Sequence, residues 1–408
     1  MRNNRIYYRN PFFHIGHLQT LLFNDQYATA NGGKCYAIVD DRYHLDYKSK
    51  IQADFDYLNL QNTILVPITD YAEIIRTETH KLITGGKIFM LCGKQVCTHA
   101  DYIRACLDAS GLTVHFQLKL KNDDTTIGFT KDDQTVYLFE YIIKLLDNYL
   151  NITDITSDLV IHDACVNLDQ LSTRKINIIP LKLYSIDGFR YVKKHWPTDA
   201  LYDPCLLTLK GLKARGVPRE VLHAFYTRAT EMKTVPLALF DEILRDYLPT
   251  HSSPLRAVID PLRVVLEAGA GEIYISKSDF GMDCPTKLIK NRSCNLRDTA
   301  EQITCTAIMV NEKGLYEIHA VHAPGVQPNL RTIHWLPDHA LRKARFKCYN
   351  WYYTGYNEVM KPVIYEGYIE AGVDVLPGVT YYLPRTGYCC LTDPEPDGVI
   401  CFIFICKV

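Results

Sequence analysis

The sequence has little of what would set it apart from ordinary globular proteins. Its longest apolar stretch, Gly398-Val399-Ile400-Cys401-Phe402-Ile403-Phe404-Ile405-Cys406, falls well short of the ~20 residues of a membrane-spanning helix. Met1-Arg2-Asn3-Asn4-Arg5 leads into no apolar core of a secretory signal, so the expectation is a soluble, cytoplasmic protein with no membrane partner. There is almost no charge imbalance. Forty-five Lys and Arg against 46 Asp and Glu leave a formal net charge of −1, which excludes a uniformly basic coat and restricts nucleic-acid binding to local patches. No low-complexity segment and no internal repeat is present, which argues against a solenoid or a long flexible linker. Cysteines are numerous, at 14, yet lack the spacing of a disulfide framework, so reduced thiols are expected. Cys92, Cys97, His99 and Cys106 lie close together without a C-x2-C knuckle, and no protein-bound metal is expected.

What is there is the composition of a folded chain, 47% hydrophobic and 22% charged, which rules out wholesale disorder. Its 408 residues suit two or three domains. From Arg5 to about Gly111, short apolar runs alternate with helical periodicity, the pattern of parallel β-α-β units. Strands are expected at Arg5 to Tyr8, Cys35 to Val39 and Lys87 to Cys92, and helices at His14 to Ala30 and Asp70 to Leu82. Leu112 to Leu120 alternates apolar and polar residues, as a half-exposed inserted strand does. Helical periodicity returns at Phe139 to Leu150 and again between Asp203 and Leu248, where Pro218 fits the first position of a helix. Beyond about Asp260, short β-rich runs separated by turns predict an all-β domain of barrel or sandwich type.

The residues suited to chemistry begin with His14-Ile15-Gly16-His17, set after a strand and a Pro-bearing loop and opening a helix. Backbone N–H groups and the helix dipole attract phosphate there. Gly16 lets a flat base approach the backbone. Two imidazoles three residues apart share a helical face and can donate to a phosphate whose charge grows during adenylyl transfer. Asp40 and Asp41 follow the next strand. Arg342, Lys343, Arg345 and Lys347 form a basic patch in the last domain.

In their shared order these segments resemble glutaminyl-tRNA synthetase over nearly the whole chain. The family's opening P-N-G-Y-L-H-I-G-H is similar to Asn10-Pro11-Phe12-Phe13-His14-Ile15-Gly16-His17, and its G-x-C and F-D-D to Gly33-Lys34-Cys35 and Val39-Asp40-Asp41. Asp203-Pro204 through Thr208-Leu209-Lys210-Gly211-Leu212-Lys213-Ala214-Arg215-Gly216 looks like D-P-R-x-x-T-x-x-G-L-R-R-R-G. Asp260-Pro261-Leu262-Arg263, Gly271-Glu272-Ile273-Tyr274, Asn295-Leu296-Arg297-Asp298, Ile333-His334-Trp335 and Glu366-Gly367-Tyr368 have counterparts further on.

The resemblance implies a fold: an α/β Rossmann-type catalytic domain of class I synthetase kind, with a reduced insert and a helical connector, followed by an all-β anticodon-binding barrel region. The expected division is 1–96 and 136–180 for the two Rossmann halves, 97–135 for the insert that receives the tRNA acceptor end, 181–255 for the connector and 256–408 for the barrels. It implies ATP with Mg2+ as the substrate complex, glutamine and tRNA (tRNA-Gln) as partners, and a monomer. Catalytic roles fall on His14, Gly16, His17, Ser172, Arg174 and Lys175, and the ATP site also on Asn10, Pro11 and Leu171. Asp40 would hold the substrate α-ammonium, with Tyr137 and Tyr141 near its side chain. Arg256, Arg331 and the patch of Arg342, Lys343, Arg345 and Lys347 are the expected tRNA contacts.

The sequence also departs from the family. Leu171-Ser172-Thr173-Arg174-Lys175 stands at the mobile loop read as M/L-S-K-R-K, with Thr173 in place of the phosphate-binding lysine. Tyr8, Cys165 and Cys205 occupy positions where the family carries charged groups. Two other readings follow: a glutamyl-tRNA synthetase, which shares the site architecture, and a synthetase-like tRNA-binding protein without ligase activity. A nucleotidyltransferase acting on a small substrate is a third, but it leaves the β-rich region without a role.

Overall fold

The computed structural model describes residues 2–8, 13–42, 46–92, 95–97, 116–120, 126–131, 134–137, 139–156, 175–187, 202–267, 270–280, 288, 290–310, 316–350, 362–393 and 396–407. The chain forms two compact units, Met1–Ser185 with Tyr226–Thr234, and Ile186–Phe225 with Val235–Val408.

The first unit is built on five parallel strands: β1 (Asn4–Tyr8), β2 (Cys35–Val39), β3 (Thr63–Pro67), β9 (Asp154–Thr156) and β10 (Asn177–Ile179). Their spatial order is β10-β9-β1-β2-β3. The chain therefore steps outward from β1 to β3 and returns to the other side of β1, which puts a topological switch point between β1 and β9. Cys35, Ala37, Ile38 and Val39 are all buried, as expected of a strand covered on both faces.

Helix α1 (Leu18–Ala30) follows β1 and buries Leu18, Leu21 and Leu22; α2 (Tyr47–Leu58) follows β2 and buries Ile51, Phe55 and Leu58. Helix α3 (Ala72–Thr84) and helix α4 (Phe139–Tyr149) share a core with the sheet, in which Ile38, Val66, Ile75, Ile142 and Leu146 meet. Arg5 on β1 and Asp147 on α4 are both buried and form an ion pair with Nε–Oδ1 at 2.6 Å. That bond fixes β1 against α4, because losing either partner would strand a charge in the interior.

A second sheet of the same unit is antiparallel: β4 (Ile88–Cys92), β5 (Gln95–Cys97), β6 (Phe116–Leu120), β7 (Thr126–Lys131) and β8 (Gln134–Tyr137), in the order β5-β4-β6-β7-β8. This corrects the expectation for Lys87 to Cys92. The strand exists, but it pairs antiparallel with β5 and β6 instead of extending the parallel sheet. A strand's apolar run sets its extended conformation; its partners are chosen by hydrogen bonds formed with distant sequence.

In the second unit, α5 (Leu209–Ala214) is capped by Thr208, whose Oγ1 accepts the Gly211 N–H at 2.9 Å. Short strand β11 (Ser185–Ile186) precedes the helical stretch and β12 (Thr234–Val235) interrupts it, each at a boundary between the two units. Helix α6 (Arg219–Thr230) starts one residue after Pro218, so the proline precedes the helix instead of occupying its first position. Helix α7 (Ala238–Tyr247) completes the helical part.

Two seven-stranded sheets follow. One contains β13 (Ser253–Pro254), β14 (Ala257–Ile259), β22 (Leu341–Cys348), β23 (Val363–Glu370), β24 (Thr380–Leu383), β25 (Gly387–Leu391) and β26 (Ile400–Lys407). The other contains β15 (Pro261–Leu266), β16 (Gly271–Ser276), β17 (Ser293–Leu296), β18 (Glu301–Val310), β19 (Tyr316–Pro324), β20 (Thr332–Ile333) and β21 (Trp335–Pro337). Each has its own core, around Phe346, Phe402 and Phe404 in the first and Val264, Ile303 and Ile318 in the second. The expected all-β region is therefore present. Among the described residues, no helix is long and apolar enough to cross a membrane.

Candidate active site

The carboxyl ends of β1 and β2 bring the first candidate residues together. After β1 the described chain resumes at Phe13, and His14 lies in extended backbone (φ −143°, ψ 173°) as the cap of a 3-10 turn, Ile15–His17, that runs into α1. His14 Nδ1 accepts the Gly16 N–H at 3.0 Å, and His17 Nδ1 accepts the His14 N–H at 3.2 Å. The two imidazoles stack with centroids 3.8 Å apart. They are thus paired by a reciprocal cap, not by the shared helical face that the spacing suggests. The chemical consequence is definite: with Nδ1 accepting in both rings, the neutral forms carry their proton on Nε2, the nitrogen suited to donate to an anion.

Aromatic packing fixes this turn against the strand. Tyr8 at the end of β1 meets Phe13 and His17 edge-on, with centroids 4.6 and 5.7 Å apart. Phe13 also packs on Phe55 of α2.

At the end of β2 the two aspartates have separate roles. The Asp40 N–H donates to the Tyr8 carbonyl at 3.2 Å, which continues the β1–β2 ladder to the carboxyl end of both strands. Its carboxylate, largely buried, is gripped by Arg42, with Nε donating to Oδ1 and Nη2 to Oδ2, both at 2.7 Å. Asp41 turns the other way. It accepts from the Thr69 N–H at 3.0 Å and from the Thr69 hydroxyl, capping the turn that follows β3.

The remaining candidates are dispersed. Asn10, Pro11, Leu171, Ser172 and Arg174, with Thr173 and Cys165, lie outside the described residues; Lys175 is exposed just before β10. Tyr137 lies on β8, and its side chain is outside the described part. Tyr141 does not face a ligand: it is fully buried in the core between α3 and α4, its hydroxyl 2.8 Å from Thr79 Oγ1. The expectation for Tyr141 is corrected, because a ring enclosed by Ile75, Ile142 and Leu146 has no surface left for an amino acid. The side chains of Cys92, Cys97, His99 and Cys106 are outside the described part as well. Cys205 is buried in the second unit, where burial and the Asp203 carboxylate push its thiol up to about 12.

The basic candidates in the sheets also separate. Arg256 is committed internally, to Glu370 at 3.0 Å, to the Trp335 carbonyl at 3.1 Å and to the face of the Trp335 ring. Arg331 reaches Asp279 at 3.4 Å, and Arg385 reaches the same oxygen at 3.1 Å. On β22, Ala344, Phe346 and Cys348 are buried, so Lys343, Arg345 and Lys347 alternate onto the opposite face. Arg345 bonds Glu366 and Asp397 there, while Arg342 and Lys343 are exposed. Sequence reasoning misses Arg42, Asp279 and Arg385. Only Arg42 carries a signal, its position directly after the acidic pair.

Comparison with known proteins points to the same segment. Residues 10–95 match the family described as tRNA synthetases class I (E and Q), catalytic domain. The chain is 28% identical to the glutamine–tRNA ligase of Bradyrhizobium diazoefficiens over 36% of this chain and 34% of that protein. It is 30% identical to the glutamine–tRNA ligase of Nitrobacter winogradskyi over 33% and 31% of the two chains. A probable glutamine–tRNA ligase of Encephalitozoon cuniculi is 21% identical over 85% of this chain and 61% of its own length. The chain thus spans about a third of the first two relatives and about three fifths of the third. A solved glutamate tRNA ligase from Elizabethkingia meningosepticum superposes with a TM-score of 0.38 at 13% identity, over 60% of this chain and 64% of that one.

Proposed function

We propose that this chain activates glutamine with ATP as an aminoacyl-adenylate and transfers it to tRNA-Gln, as a shortened and divergent glutaminyl-tRNA synthetase. One observation carries the reading: His14, Gly16 and His17 open α1 at the switch point of a parallel sheet, with Asp40 on the adjacent strand end. In a doubly wound sheet that crevice is where ligands bind.

In this reading the substrates are glutamine, tRNA and ATP with Mg2+. The Nε2–H groups of His14 and His17 donate to the phosphate as negative charge accumulates, and Gly16 leaves room for the adenine. Asp40 holds the substrate α-ammonium. The loop of Leu171, Ser172, Arg174 and Lys175 neutralises the triphosphate, with Thr173 giving less charge than a lysine would. Asn10 and Pro11 belong to the same ATP site, and Tyr137 stands near the substrate side chain. Positioning and charge stabilisation supply the catalysis, since the reaction needs no covalent enzyme intermediate. The segment 97–135 serves the acceptor end, 136–180 completes the Rossmann domain, 181–255 connects, and the sheets of 256–408 receive the anticodon. A cytoplasmic monomer is part of this reading.

Thr173 favours one rival, a tRNA-binding descendant without ligase activity. ATP–pyrophosphate exchange with glutamine or glutamate, in the presence of tRNA, separates them. The expected result is exchange with glutamine that falls roughly 100-fold or more in His17→Ala, the scale of a lost transition-state donor. Exchange with glutamate alone would identify a glutamyl enzyme, and tight tRNA binding without exchange would identify the rival.

A further inference from the structure

Asp40 and Asp41 sit side by side at the end of β2, and each is already bonded. Asp41 is bound by the backbone N–H and the hydroxyl of Thr69, a cap that belongs to the sheet. Asp40 is bound by a side chain instead. Arg42 occupies both of its oxygens at 2.7 Å, in the bidentate arrangement that gives the strongest guanidinium–carboxylate contact. The Arg42 side chain is 22% exposed and that of Asp40 9%, so the guanidinium is the more exposed partner of the pair.

The partner is also a cation. An ammonium arriving at Asp40 finds the two best lone-pair directions occupied and a like charge beside them. Arg42 lies three residues past the end of the strand at Val39, outside the β1–β2 ladder, so displacing its guanidinium from Asp40 breaks no bond of that ladder.

We propose that Arg42 is an internal competitor for Asp40: it closes over the carboxylate in the free protein and must be displaced by the α-ammonium of the incoming amino acid. This rests on the reading of Asp40 as the ammonium site. Arg42 then sets affinity for the amino acid by withholding part of the competent state, since apparent affinity falls in proportion to the fraction of protein that is open.

The test is calorimetric titration of the full chain, with saturating tRNA, using glutamine and glutaminol as probes. Glutaminol keeps the ammonium and lacks the carboxylate. Arg42→Gln is expected to bind both probes about five-fold more tightly than the parent, the population that an ion pair of this exposure holds back. Arg42→Lys, which keeps the charge but not the two-pronged grip, is expected to fall between. Unchanged or weaker binding of both probes in Arg42→Gln overturns the proposal. So does weaker binding of glutamine alone, which would make Arg42 a carboxylate ligand. Asp40→Asn checks the underlying reading separately: it should abolish binding. If the parent and Asp40→Asn bind alike, Asp40 is not the ammonium site and the competitor falls with it; if Asp40→Asn alone loses binding while Arg42→Gln gains nothing, only the competitor falls.

Discussion

His334 is buried beside Arg297, whose Nη1 lies 3.3 Å from its Nε2. Burial, and then the positive charges of Arg385, Arg297 and Arg256, hold its imidazole down to about 4, well below the ordinary value of 6.5. The folded protein therefore keeps this ring neutral where the unfolded chain protonates it. Stability from this residue is fully present above about pH 6.5 and is lost as the pH falls towards 4, by on the order of 1–2 kcal/mol once solvent screening is allowed for. Urea midpoints measured between pH 4 and 7 should fall on acidification in the parent and fall less steeply in His334→Gln; parallel profiles would show that other groups set the acid limit. How far such residue environments can be read in advance varies with the interaction. Ile333-His334-Trp335 is visible as a segment, but the arginines around it, Arg256, Arg297 and Arg385, come from distant parts of the chain. At the candidate site, His14 and His17 are legible from strand, loop and helix order, whereas their mutual cap depends on His14 leaving the helix. The grip of Arg42 on Asp40 is not legible, because two charges separated by one residue read equally well as solvated neighbours.

At the scale of elements, the turn between α5 and α6 shows a packing constraint. Gly216 has φ +79°, and a Cβ placed there would lie 2.0 Å from Cys390 Sγ and 2.9 Å from Cys390 Cβ on β25. Arg215 beside it is buried and donates to the carbonyls of Ile405, Pro204 and Tyr349, so the turn is held to the ends of β22 and β26. Gly86, between α3 and β4, has φ +68° and nothing within 4 Å of the place a methyl group would take. Gly86→Ala should therefore lose only about 1 kcal/mol, the strain of a left-handed alanine. Gly216→Ala adds a steric conflict and should lose roughly 2–4 kcal/mol. Calorimetric melting compares them, and equal losses would show that β25 yields freely. The same elements show why part of the fold is legible. Of the parallel strands, β1 and β2 announce themselves by short apolar runs, and α1 by Leu18, Leu21 and Leu22. Strands β3, β9 and β10 are not expected from the sequence, β9 and β10 being only three residues long and opening on the polar Asp154 and Asn177. Helix α2 escapes notice although Ile51, Phe55 and Leu58 recur at helical spacing, because its lysines and acidic residues dominate the stretch and no side chain caps its start. The antiparallel pairing of β4 depends on β6, well beyond it in the chain, and no local pattern encodes that choice.

For the whole molecule, a net charge of −1 means that a polyanion is not attracted to the surface at large, so the tRNA binding proposed above would have to be concentrated in rows of like charge. The outward face of β22 offers one, formed by Lys343, Arg345 and Lys347. Its members are not equivalent. Arg345 is held by Glu366 at 2.9 Å and Asp397 at 3.1 Å, and these carboxylates offset its charge, while Lys343 is exposed beside Tyr368 of the neighbouring strand. A phosphate contact contributes mainly through counterion release, which makes it visible in the salt dependence of binding. Lys343→Ala should weaken tRNA binding about three- to ten-fold near 0.1 M salt and reduce the slope of log K against log salt by about 0.7–0.9. Arg345→Ala should change both less, because breaking its ion pairs releases two carboxylates next to the same row. Filter binding of tRNA across a salt series measures both quantities. An unchanged slope in Lys343→Ala would exclude this face of β22 from the tRNA contact. A slope change in Arg345→Ala larger than in Lys343→Ala would mean that RNA displaces Glu366 and Asp397 from Arg345, making the ion pairs of the free protein a reserve of charge exchanged on binding.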